Sequence, residues 1–357
     1  MSTRTAFRPK WSSAPGETIR DLLTERCISI EEFSLGIEET IQRTMEILEG
    51  RSAITIGVAR KLERFLGASV QFWMTRDFQF REDAQKQSKA ALEWLRELPL
   101  SDMVRFGWLK PAPLPSEEVA SCLQFFDVPS ISEWRSSYGT YQRAYALRTS
   151  PSFDSSPGAL AAWLRAGEIA AASIRCGPWN PQAFHALLPG LRALTREKNP
   201  DVFLLELRKL CASAGVAFAV LRCPSGCRAS GAARLLDSKQ ALLLLSFRYL
   251  SDDQFWFSFF HEAGHLLLHA DRGVFIDGLE VGSSDEEREA NEFAGKVLVP
   301  EDVQHELLQL QLDHRAIIRF ASRIGVSPGI VVGQLQHRRR ITPRQLNALK
   351  RRYRWSE

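Results

Sequence analysis

No stretch of the 357 residues approaches the ~18 consecutive apolar residues of a membrane-spanning helix, and Met1 to Trp11 lacks the apolar core of a secretory signal. A soluble, cytoplasmic protein is therefore expected. Cysteine is scarce and scattered, at Cys27, Cys122, Cys176, Cys211, Cys223 and Cys227, and only the last two are close. One CxxxC spacing is a weak metal or redox signal, so reduced thiols are the expectation. Internal repeats and low-complexity tracts are missing, which removes solenoids and arrays from consideration. Apolar content of 45% and charged content of 25% are those of an ordinary globular protein, and the length suits two or three domains.

The net charge of +4 hides an uneven distribution. His337 to Glu357 holds eight Lys or Arg against one acid, a local excess of +7. Such a tail suits nucleic acid, an acidic partner or an acidic face of the same chain. Ser29 to Gly50 holds six glutamates (Glu31, Glu32, Glu38, Glu39, Glu46, Glu49) against Arg43, a local −5.

The pattern predicts a chain that is mainly α with a small β-sheet (α+β). A loose lead-in precedes helices over Gly16–Cys27, Ser29–Leu35, Glu39–Glu49, Thr55–Leu66 and Ser69–Phe78, with Gly50 and Gly67 as stops. Residues 83–200 read as a helical linker or sensor region, broken around Pro111–Pro115 and Ser155–Gly158. Trp94, Trp108, Trp134 and Trp163 fall at apolar helix positions and are expected in the core. From Asp201 a helix to Ala214 is followed by strands over Val216–Arg222, Arg228–Leu236 and Ala241–Phe247. Ser230 and Gly231, with small neighbours, suggest an edge strand that an extended peptide substrate can join.

The next helix carries the chemistry. In His261-Glu262-Ala263-Gly264-His265-Leu266-Leu267-Leu268-His269, two histidines stand four apart with a glutamate after the first. On a helix both imidazoles reach one ion, and Glu262 can take a proton from water beside it, as in a zinc hydrolase. Asp252 and Asp253 are expected to cap this helix, and Trp256, Phe257, Phe259 and Phe260 to embed it. An ion so placed would compensate ionisable side chains in an apolar helix. His269 is turned off the direction of His261 by about 40° per four-residue step, so a hydrogen-bonding role near the site is expected. The third ligand must come from elsewhere. Downstream, Glu287 and Asn291 are i and i+4 beside the apolar face of Ala290, Phe293, Ala294 and Val297. Glu287 can ligate while Asn291 orients a ligand histidine; Glu286, Glu289 and Glu292 compete for the role. Asp271 to Ser284 is a loop placed to cover the cleft.

HEAGHLLLH together with EREANEFAGKVLVP resembles the ImmA/IrrE family of zinc metallopeptidases, over roughly Leu204 to Trp355. The five N-terminal helices, with Phe72-Trp73, resemble a helix-turn-helix domain of Xre or HigA-antitoxin type. The resemblance implies domains at 1–82, 83–200 and 201–357, and Zn2+ held by His261, His265 and Glu287 with Glu262 as catalytic base. It also implies a helix-turn-helix repressor or antitoxin as protein substrate, in mobile-element, toxin-antitoxin or stress control. The acidic stretch departs from a DNA reader, and its turn lacks a Ser or Thr at Glu38, so a protein partner suits it better. The rival reading is an antitoxin-type regulator that binds DNA through this domain or the basic tail and uses the metal for structure or sensing. A non-catalytic adaptor that binds repressors is the third. Residues Ala321 to Leu335 repeat a helix-turn-helix cadence, expected to pack against the site helices.

Overall fold

Short helices bounded by side-chain caps build the N-terminal part of the computed structural model, which describes residues 13–146, 156–236, 239–269, 275–277 and 285–355. The expected lead-in and cleft loop therefore lie outside the described residues, apart from residues 13–14 and 275–277. The chain divides into two compact units, Met1–Trp94 and Leu95–Glu357.

The first unit comprises α1 (Pro15–Glu25), α2 (Ile30–Gly36), α3 (Ile41–Leu48), α4 (Ile56–Leu66) and most of α5 (Val70–Glu97). Ser29 and Glu32 form a reciprocal capping box on α2, while Thr40 and Thr55 accept from Arg43 N and Val58 N to start α3 and α4. The cap missing at Glu38 is thus supplied two residues later, by Thr40. Ile19, Phe33, Ile47, Leu62 and Trp73 fill the core, and Trp73 Nε1 donates to Gly67 O at 3.0 Å. Helix α5 runs past the expected stop at Phe78, because residues 79–97 contain neither glycine nor proline and i,i+4 pairs such as Lys86–Glu82 support it.

The second unit begins with α6 (Leu100–Arg105), α7 (Pro115–Phe126), α8 (Ile131–Ala146), α9 (Pro157–Ala172), α10 (Pro181–Ala193) and α11 (Pro200–Ser213). Strands β1 (Val216–Val220), β2 (Gly231–Leu235) and β3 (Ala241–Leu245) follow, then α12 (Asp252–Leu268), β4 (Phe275–Asp277) and α13 (Asp285–Leu298). The unit ends with α14 (Glu301–Gln309), α15 (His314–Ile324) and α16 (Pro328–His337). Prolines at the first helical positions of α7, α9, α10, α11 and α16 set where those helices begin.

The sheet order is β1-β3-β2-β4, with β1 parallel to β3 and the other pairs antiparallel. Alternation along the strands gives it two apolar faces. Val216, Phe218, Ala233, Leu243 and Leu245 share a core with α11 and α12; Ala217, Ala219, Ala232, Leu242 and Leu244 share one with α9. Gly167 lets α9 come close, since a Cβ there would meet Leu244 Cδ2 at 2.4 Å. The expected linker region 83–200 therefore supplies one layer of the sheet's packing, and the division lies inside α5 where the sequence suggested 82 and 200.

Asp252 and Asp253 do not cap α12: they sit in its first turn, and the N-cap is Ser251. Asp252 accepts from Ser327 Oγ at 2.7 Å and from Arg351 N at 3.0 Å, and Asp253 pairs with Lys350 at 2.6 Å. Glycines on α16 allow this approach, since a Cβ at Gly329 would lie 2.3 Å from Asp252 Oδ1. Arg351 also donates to the carbonyls of Thr195 and Glu197. Part of the basic tail is thus spent on this chain's own buried acids. Among the described residues no single helix is long and apolar enough to cross a membrane, and the bent pair α15–α16 contributes Ile317, Phe320 and Val331 to the core.

Candidate metal centre

Aromatic packing fixes α12 before any polar group is considered. Trp256, Phe259 and Phe260 are fully buried against the sheet and α11, which turns His261, Glu262 and His265 inward, each at most 1% exposed. Helix α13 lies against α12 at its smallest residue: a Cβ on Gly264 would already touch Phe293 Cδ1 at 3.0 Å and Ala290 Cα at 3.3 Å. That close approach carries Glu287 to the histidines. Its Oε2 is 3.3 Å from His261 Nε2, its Oε1 is 3.5 Å from His265 Nε2, and the two Nε2 atoms are 3.0 Å apart.

These three donors fit a zinc ion. Tetrahedral coordination with ligand bonds of about 2.0–2.1 Å requires ligand atoms about 3.3 Å apart. The separations of 3.0, 3.3 and 3.5 Å bracket that value. Among the described residues, His261, His265 and Glu287 form the group able to hold an ion. Glu289, Glu292 and Glu286 are not part of it: Glu289 bonds His269 at 2.8 Å, and Glu292 bonds Arg288 at 2.9 Å.

The tautomers follow from the bonds on the far side of each ring. Asn291 Oδ1 lies 3.1 Å from His261 Nδ1 and can only accept, so that nitrogen carries the proton and Nε2 presents its lone pair. Glu289 accepts from His269 Nε2, which makes His269 Nδ1 the acceptor for His265 Nδ1–H at 3.4 Å. His265 Nε2 is then free of its proton as well. Burial holds the His265 imidazole below its ordinary pKa. Burial opposes ionisation of Glu287, but with an Nε2 proton on the facing imidazoles, as in the ion-free site, the two histidines outweigh it and hold its carboxyl down at about 2. Two neutral imidazoles and one carboxylate are the protonation states that bind zinc.

Glu262 lies between α12 and β2, fully buried. The sequence offered Ser230 and Gly231 as an edge for a peptide, and here the structure differs. Strand β2 is an inner strand, paired on one side to β3 and on the other to β4, with Gly231 opposite Asp277. The missing side chain at Gly231 has another use: a Cβ would lie 2.4 Å from Glu262 Oε1. Arg234 points to the opposite sheet face and pairs with Glu168 at 3.0 Å. Tyr249 is half exposed, and His269 is engaged with His265 and Glu289. Glu289 is a contact that the spacing concealed, since only the fold shows that His269 reaches it.

Residues 220–336 match the family model of the IrrE N-terminal-like domain, in peptidase family M78. The matched stretch contains His261, Glu262, His265 and Glu287. The chain is also similar to YddM, an uncharacterised helix-turn-helix-type transcriptional regulator of Escherichia coli (strain K12), at 33% identity over 60 residues. That match covers 17% of this chain and 64% of the relative, just under two thirds of its length.

Proposed function

We propose that the protein is a zinc-dependent endopeptidase, and that its substrate is a helix-turn-helix repressor or antitoxin in the cytoplasm. The convergence of His261, His265 and Glu287 beside a buried Glu262 is the observation that carries this reading. Zinc bound there would acidify water and polarise a scissile carbonyl. His261 and His265 offer neutral Nε2 atoms, kept in that form by Asn291 and by the His269–Glu289 pair. Glu262 accepts a proton and passes it to the leaving amine, and the space left by Gly231 keeps its carboxylate in place.

The similarity to a transcriptional regulator favours a second reading, an antitoxin-type DNA-binding regulator with a structural or sensing metal. A structural zinc site fills all four positions with protein ligands, whereas three are grouped here among the described residues. The decisive test incubates purified protein with helix-turn-helix repressors encoded nearby. Glu262→Gln should retain zinc by metal analysis and lose roughly 10²–10⁴-fold in cleavage rate. Undiminished turnover in that variant would overturn the assignment.

A further inference from the structure

A cavity of about 160 Å³ lies between the start of α12, the end of α13 and α16. Phe257 lines it, and its ring centroid lies 6.3 Å from that of His261 and 6.2 Å from that of His337. Leu298 and Ile330 line the interior, with Gln334, while His337 stands exposed at the mouth. Gln334 is only 5% exposed and lines the same cavity. Asp253 also lines the cavity, but Lys350 neutralises it at 2.6 Å.

We propose that this cavity receives one aromatic side chain of the peptide substrate, tyrosine in preference to phenylalanine, from a residue within about two positions of the scissile bond. The proposal rests on the peptidase reading and adds the substrate class to it. Size supports an aromatic ring, because apolar cavities of about 150 Å³ take up benzene. Charge supports an uncharged group, since the acid in the wall already has its counter-ion. The amide of Gln334 in the cavity wall can exchange a hydrogen bond with a hydroxyl, which separates tyrosine from phenylalanine. Distance sets the position: Phe257 precedes His261 by one helical turn, about 6 Å, and an extended peptide advances about 3.3 Å per residue.

The test reads binding separately from cleavage. Full-length Glu262→Gln protein with zinc is titrated with N-acetyl-fluorotyrosinamide and N-acetyl-fluorophenylalaninamide, followed by fluorine NMR, with N-acetylalaninamide as competitor. The tyrosine probe should bind, and the phenylalanine probe should bind roughly two- to tenfold more weakly. Gln334→Leu should abolish that difference while leaving phenylalanine binding, and His337→Trp at the mouth should weaken both probes about tenfold. Displacement of the probes by the alanine amide, or parental binding in both variants, would overturn the proposal. In parallel, cut sites made by zinc-loaded wild type in a denatured protein mixture are mapped by mass spectrometry. Cuts within two positions of Tyr or Phe support the proposal, and cuts indifferent to aromatics refute it. A complete lack of cuts counts against the peptidase reading, and the probe titration then decides the cavity on its own.

Discussion

At the scale of single residues, the centre depends on side chains that never touch the ion's position. Asn291 and Glu289 act through the far nitrogens of His261 and, by way of His269, His265. Asn291→Ala and Glu289→Gln should each weaken zinc binding roughly 10–100-fold, measured by competition with a chromophoric chelator. Wild-type affinity in both would remove them from this role. His265 and Glu287 predict an acid dependence in chelator-treated protein. The folded pKa of His265 is depressed below 6.5, and that of Glu287 lies at about 2 against an ordinary 4.5. The unfolded chain therefore binds protons that the folded chain does not. Stability should fall as pH drops below 6.5 and continue falling through the carboxylate range, with His265→Gln flattening the upper part in thermal melts. The histidine spacing and the Glu287–Asn291 pair were legible in the sequence because helical periodicity is local. Glu289 was not, because its meaning depends on where α13 lands against α12.

Elements explain the misreadings. Small residues around Ser230 and Gly231 suggested an open edge, but the side chain they make room for is Glu262, 31 positions after Gly231. Nor did the short segment Phe275–Asp277 announce itself as the strand that covers β2. Conversely, the helix-turn-helix cadence of Ala321 to Leu335 anticipated α16 as a helix, and its close packing on α12 gives Gly329 and Gly333 their purpose. Gly329→Ala places a methyl against Asp252 and should destabilise the fold by about 1–3 kcal/mol in chemical denaturation. Unchanged stability would mean that α16 can shift without loss. The extension of α5 beyond Phe78 shows the opposite case, where a surface helix of charged residues needs only the lack of breakers and favourable i,i+4 pairs.

Across the molecule, the two units present different surfaces to partners. In the first, α2, α3 and their flanks bear Glu31, Glu38, Glu39, Glu46 and Glu49, while Lys61 and Arg43 are engaged with Glu39 and Glu46 at 2.8 and 3.3 Å. Leu35, Ile41 and Ile56 stand exposed among these acids. An acidic surface with apolar points suits a basic protein better than a phosphate backbone. The full-length protein should therefore show no tight, salt-sensitive binding to mixed duplex DNA at low ionic strength in a fluorescence titration. A steep loss of affinity on adding salt would instead favour the regulator reading.

The anchoring of Lys350 and Arg351 to the first turn of α12 gives the far end of the chain leverage over the centre. Asp252 and Asp253 begin the very helix whose next turns carry His261 and His265, and both rely on partners about a hundred residues downstream. Withdraw that segment, by a protease nick or by a protein that captures it, and Asp253 loses its counter-ion while Asp252 keeps Ser327 but loses Arg351 N, and breaking such a buried ion pair typically costs about 3–5 kcal/mol. The arrangement of His261 and His265 would then be loosened from a distance, with every candidate ligand still present in the covalent chain.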